Sequence, residues 1–109
     1  MTPTAEPLKL PADAPLPATA VIVGRMHTAN DGQLIVAIAD SPDSIAVLVD
    51  FYKQALPRLG WHIKKMAQNS LGYDIFSDKP DGRTLHVNFD DHYQGVSGTQ
   101  MRIDVDIPN

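Results

Sequence analysis

The side chains best suited to chemistry in this chain are histidines and aspartates of its last third. His86 lies on a segment with alternating apolar residues, and a hairpin register places it opposite Asp104. Asp90 ends that segment, and His92 follows it in a loop. A histidine beside a carboxylate can act as an acid–base pair, and carboxylates in one loop with an imidazole can bind a divalent cation. The sequence therefore offers His86, Asp104, Asp90 and His92 as a weak polar cluster.

Other features of the sequence argue against catalysis by this cluster. General acid–base catalysis needs a concave site and a third group that orients the base, whereas the cluster is predicted to lie on an open sheet face. The other histidines, His27 and His62, have no metal-ligand spacing, and no serine lies in a Gly-x-Ser-x-Gly motif. We therefore expect a non-catalytic protein without a metal or cofactor. A small ligand-binding or hydrolytic domain that uses the cluster is the alternative.

Composition sets further bounds. The chain has 109 residues, 43% of them hydrophobic, which is typical of one globular domain. Its net charge is −4 and its 9 basic residues are scattered, so no basic face for nucleic acid is expected. No apolar run approaches the roughly 18 residues of a membrane span. The absence of cysteine excludes disulfides, thiolate catalysis and cysteine-ligated zinc.

Residues 1–18 differ in composition from the rest of the chain. They contain five of the nine prolines, interleaved with alanines. Proline favours extended, semi-rigid backbone, and no basic start or apolar core of an intact signal peptide is present. We interpret residues 1–18 as an extended linker or disordered tail and residues 19–109 as a single domain. The tail is either a spacer or a floppy terminus.

The hydrophobic pattern of the domain predicts two strands, one helix and four strands. Strands are expected at 19–26, 33–39, 61–68, 71–77, 83–90 and 99–107. This is an α+β fold, ββαββββ, with one helix packed on one face of a mainly antiparallel sheet. The expected strand order in the sheet is 2-1-3-4-5-6. A right-handed crossover that sets strand three parallel to strand two is the rival.

The helix carries its own start and stop signals. Ser41 is the expected N-cap, followed by Pro42 at the first helical position. Gly60 supplies a left-handed stop. Apolar residues recur at helical spacing between these signals. Tyr52, together with Trp61 just after the helix, is expected to fill the core.

The two hairpins differ in how their faces are patterned. In the first, residue numbers summing to about 60 leave both faces mostly apolar. Val21, Val23, Ile35 and Ala37 are predicted to form the face that the helix does not cover, and hence an interaction face for a homodimer or a protein partner. In the last hairpin, a sum of about 190 turns one row inward and pairs Leu85 with Val105, Val87 with Ile103, and Phe89 with Met101.

A family resemblance rests on the helix and its flanks. Ser41-Pro42-Asp43, then Phe51-Tyr52-Lys53, Leu56 and Gly60-Trp61, resemble a pattern in small bacterial envelope and lipoprotein-like proteins of unknown function. The resemblance covers about residues 19 to 107 and implies a hairpin, a helix and a β-meander. It also implies location in the periplasm or at the envelope, with a cytoplasmic protein as the alternative. No lipidated cysteine stands near the start of this chain, and no catalytic residue carries over.

Overall fold

The computed structural model describes residues 10–29, 32–69, 72–90 and 98–108. It has one helix and a six-stranded antiparallel sheet, which confirms the α+β class. The elements in chain order are β1 (Val21–Ala29), β2 (Gly32–Ser41), α1 (Ile45–Arg58), β3 (His62–Gln68), β4 (Gly72–Asp78), β5 (Thr84–Asp90) and β6 (Thr99–Pro108).

The strand order in the sheet differs from the expected one. The observed order is β1-β2-β6-β5-β4-β3, and every neighbouring pair is antiparallel. The last strand inserts beside β2, and β3 lies at the far edge instead of beside β1 or β2. β2 is apolar on both faces because it is a central strand. Its second neighbour is β6, which the sequence pattern did not predict.

The last hairpin has the predicted register. Leu85 pairs with Val105, Val87 with Ile103, and Phe89 with Met101, all fully buried on the helix side. The first hairpin is shifted from the predicted register by one residue at Val21 and Ile22 and by two residues from Gly24 onward, with a bulge between Ile22 and Gly24. A bulge adds one unpaired residue and so reverses which face the following side chains occupy.

The helix packs over the β3 and β4 end of the sheet. Leu48, Tyr52 and Leu56 are fully buried on its inner side, and Trp61 directly after it is 3% exposed. The expected core roles of Tyr52 and Trp61 are therefore confirmed. Within the part of the chain that the structure describes, no helix is both long and apolar enough to cross a membrane.

The helix begins later than predicted. Ser44 is the N-cap, and its hydroxyl accepts a hydrogen bond from the Val47 N–H at 3.4 Å. Ser41, the expected cap, ends β2 instead, and its buried hydroxyl accepts from the Asp43 N–H. Ser41 thus shapes the turn before the helix. Gly60 has φ of 92°, the left-handed conformation expected after the helix end.

The predicted boundary at residue 18 also needs correction where the structure describes it. Residues 10–17, here called the strap, lie against the domain. Ala14 is buried, and Leu10 and Leu16 pack against the core. Buried tryptophan and tyrosine side chains need acceptors, and the strap supplies them. Residues 1–9 lie outside the described residues.

Candidate functional site

His86 lies on the sheet face opposite the helix, here called the open face. Its Nε2 is 2.8 Å from Asp74 Oδ1, and its Nδ1 is 4.0 Å from Asp104 Oδ2. The pairing of His86 with Asp104 follows the predicted register. Both imidazole nitrogens therefore face carboxylates, and the ring lies between the β4 and β6 aspartates.

Asp74 organises this cluster, although it was not among the four predicted residues. One carboxylate oxygen accepts from Asn88 at 2.9 Å and faces His86, while the other accepts from Asn69 at 2.8 Å. Burial alone would raise the pKa of Asp74, but the hydrogen bonds from Asn88, His86 and Asn69 lower it below its ordinary value. Asp74 therefore holds its charge and fixes three neighbours. The β4–β5 register, which sets Asp74 opposite Asn88, was the signal that could have identified it.

Next to this cluster, the open face carries an aromatic groove. Phe76 stacks on His86 with ring centroids 4.3 Å apart and planes 4° from parallel. Lys64, Lys65 and Thr84 complete a groove of about 500 Å³ around these two rings. Phe76 remains 38% exposed. The groove is open to solvent and partly cationic, and it does not enclose the imidazole.

Of the other two predicted cluster residues, the structure describes Asp90. Asp90 ends β5 on the same face as His86 and pairs in the ladder with Gln100 and Gly72. His92 lies outside the described residues. Among the described residues, no group of three histidine or acidic side chains is arranged to hold a metal ion.

The predicted interaction face is not a single surface. Ile35 and Ala37 pair with Val105 and Ile103, which places them on the helix side, where both are buried. Val21 and Val23 lie on edge strand β1 and are 64% and 57% exposed. A bulge in β1 sets Val21 opposite Asp40, which lies on the other face of β2 from Ile35 and Ala37. What remains of the predicted face is the β1 edge.

The two edges of the sheet differ in character. Exposed apolar side chains on β1 include Val21, Val23 and Met26, and β1 is nine residues long. β3, the opposite edge, has a bulge at the position of Lys64 and a second lysine, Lys65, beside it. Both edge strands contain a bulge, so the lysines are what distinguish them, because lysine on an edge strand discourages strand addition. β1 is therefore the less protected edge.

No protein-family model, curated protein or solved structure matches this chain. The resemblance to small envelope proteins therefore stays a prediction.

Proposed function

We propose that this domain is a non-catalytic interaction module of the bacterial cell envelope, and that it associates with a second copy of itself along β1. The observation that carries the proposal is the exposed apolar edge formed by Val21, Val23 and Met26. The envelope assignment is supported by the Ser-Pro-Asp to Gly-Trp motif, which resembles small envelope proteins.

The chemistry of β1 supports pairing with another strand. From Gly24 to Ala29 the strand follows a regular ladder with β2, and its other side faces no strand of the described chain. An edge strand presents unpaired N–H and C=O groups that can join a further strand. Arg25 is the one residue of β1 with a fixed charge. Two antiparallel copies of this edge would bring apolar residues together with little charge repulsion.

The histidine cluster supports binding better than hydrolysis. A general base needs one ring nitrogen free to accept a proton from substrate, and both nitrogens of His86 face carboxylates. The groove beside Phe76 is open to solvent, so it would not exclude water from a reacting group. These features favour the non-catalytic proposal over the hydrolytic alternative.

Light scattering during size-exclusion chromatography, over a series of protein concentrations, tests this proposal. The wild-type chain should approach the mass of two chains as concentration rises. Val23→Lys should raise the dissociation constant about tenfold or more, because a desolvated charge would face an apolar partner.

The matched control is Val47→Lys on the helix. Val47 is 54% exposed, nearly the same as Val23, but lies away from β1. It should dimerise as the wild type does. A wild-type chain that stays monomeric at millimolar concentration, or an equal loss in both variants, would contradict the proposal.

A further inference from the structure

The strap fits its place on the domain as a bound peptide does. Its only backbone-to-backbone hydrogen bonds among the described residues are local turns, Ala14 N–H to Pro11 C=O within the strap and Ala20 N–H to Pro17 C=O at its end. It adds no strand to the sheet. Its polar links to the folded body around α1 and β3–β5 come instead from side chains of that body.

Two of these links hold the strap backbone. The Trp61 indole N–H donates to the Asp13 carbonyl at 2.6 Å, and the Tyr52 hydroxyl donates to the Pro15 carbonyl at 2.9 Å. Both donors belong to almost fully buried rings. Burial raises the pKa of Tyr52, so its hydroxyl stays protonated and keeps donating. The acceptors are main-chain carbonyls, which every peptide possesses.

A third link holds one side chain of the strap, that of Asp13. The Asp13 carboxylate receives two hydrogen bonds from the Arg83 guanidinium, at 2.8 and 3.2 Å, and one from the Lys79 ammonium at 2.6 Å. Lys79 and Arg83 also lie 5.0 and 5.5 Å from the Trp61 ring centroid. A bidentate arginine with a second cation selects a carboxylate in a defined orientation.

These contacts make a receptor with fixed donors. Tyr52 is on α1, Trp61 precedes β3, and Lys79 and Arg83 flank the β4–β5 turn. Without an occupant, the apolar rings of Trp61 and Tyr52 would become exposed to water and the Arg83–Lys79 pair would lose its carboxylate, which is costly. The site therefore favours exchange of one peptide for another over an empty state. Proline-containing peptides suit it because less chain entropy is lost on binding.

We propose that Tyr52, Trp61, Lys79 and Arg83 form a binding groove for extended, proline-containing acidic peptides of a partner protein, and that the strap is its tethered occupant. The groove uses none of the β1 residues invoked for self-association, so either proposal can fail alone. A tethered segment competes at an effective concentration of about millimolar. An external peptide therefore gains access when the strap is weakened or when the partner peptide is the better ligand.

The test uses the full chain and a fluorescent peptide with the sequence of residues 10–17, Leu-Pro-Ala-Asp-Ala-Pro-Leu-Pro. Asp13→Lys sets a cation against Lys79 and Arg83 and weakens the tethered occupant. This variant should bind the peptide about tenfold more tightly than the wild type, by fluorescence anisotropy. A peptide with asparagine in place of its aspartate should bind about tenfold more weakly. Asp50→Lys, on the exposed side of the helix, is the matched control and should bind like the wild type.

A charge reversal gives a specificity readout that a purely structural contact would not. Asp13→Lys combined with Arg83→Glu should lose its preference for the aspartate peptide. A folded Asp13→Lys chain that binds no peptide, or binds the aspartate and asparagine peptides equally, overturns the proposal.

A measurement on the wild type covers the case in which Asp13→Lys does not fold. The Trp61 indole N–H should exchange with solvent at least about tenfold faster than the backbone amides of the β5–β6 pair, through local opening of the strap. Exchange as slow as in those strands would show that the strap leaves only on global unfolding, and would overturn the proposal.

Discussion

At the scale of single residues, Asp74 holds the open-face cluster together. It accepts hydrogen bonds from Asn88 and Asn69 and faces His86, so two side chains from β5 and one from the residue after β3 depend on one carboxylate of β4. His86 then offers Phe76 a flat surface for stacking. The cluster's order therefore depends more on Asp74 than on the histidine that the sequence makes conspicuous.

Asp74→Asn tests this dependence at neutral pH. The substitution turns one acceptor into a donor, so at least one of the three partners loses its hydrogen bond. The free energy of unfolding in urea should fall by about 1–2 kcal/mol.

Asp50→Asn is the control for that measurement. Asp50 is exposed and accepts a single hydrogen bond from Gln54, so its loss should cost no more than about 0.5 kcal/mol. Equal stability of the two variants would show that Asp74 does not organise the cluster.

At the scale of elements, the sequence predicted the structure well where the local hydrophobic pattern allowed one arrangement, and poorly where contacts between distant segments decided it. Strict alternation in β5 and β6 allowed one register only, since a slip by one residue would turn Leu85, Val87 and Phe89 to water. In β1 and β2 both faces are apolar, so the pattern tolerated two registers and the bulge at Val23 was invisible. Because both faces are apolar, the pattern also did not show which face the helix covers, and Ile35 and Ala37 were assigned to the wrong side of the sheet.

The helix start shows the same limit over a shorter distance. Ser41 and Ser44 both stand before the apolar stripe, and each is a competent cap. Ser44 is the N-cap because β2 continues through Ser41. The Ser41 hydroxyl instead forms hydrogen bonds with the Thr19 hydroxyl and the Asp43 N–H. That outcome depends on contact with a residue 22 positions away.

Two strand glycines provide a test at this scale. A Cβ on Gly72 would overlap the Phe89 carbonyl oxygen and lie 2.8 Å from its carbon, whereas one on Gly24 would meet only Ile38 Cβ at 3.8 Å. Gly72→Ala should cost about 3 kcal/mol or more, because the β4–β5 backbones must separate.

Gly24→Ala is the matched substitution and should change stability by less than about 1 kcal/mol, in either direction. Chemical denaturation of both variants measures the difference. Similar values would mean that β4 does not approach β5 at Gly72 as closely as described.

At the scale of the whole molecule, the strap extends the domain, because it packs against the core. Composition predicted that residues 1–18 stand apart, because proline and alanine alone suggest no packed element. The signal for docking lay elsewhere, in Tyr52 and Trp61, whose buried polar atoms require acceptors from some other segment. The partners of Asp13 lie 66 and 70 positions away, and no local pattern encodes such a pairing.

The same long-range contacts predict how stability responds to acid. Burial alone would raise the pKa of Asp13, but hydrogen bonds from Arg83 and Lys79 hold it below the ordinary value of 3.8, and the pKa of Asp74 is also lowered. A carboxyl group whose pKa is lower in the folded chain than in the unfolded chain stabilises the folded state at pH values above its unfolded pKa. That stabilisation is lost as the pH falls through the pKa that the group has in the folded state. The wild-type free energy of unfolding should therefore drop steeply below about pH 4.

Replacing both carboxylates should flatten that response. The Asp13→Asn/Asp74→Asn variant should be less stable than the wild type at pH 7 and should lose less on acidification, since neither asparagine titrates. Some slope should remain, because Asp81, with its pKa lowered chiefly by a hydrogen bond from the Arg83 backbone N–H, is unchanged. Urea unfolding at intervals from pH 7 to pH 2 measures both curves. Parallel curves for the double variant and the wild type would mean that the acid response arises from other carboxylates.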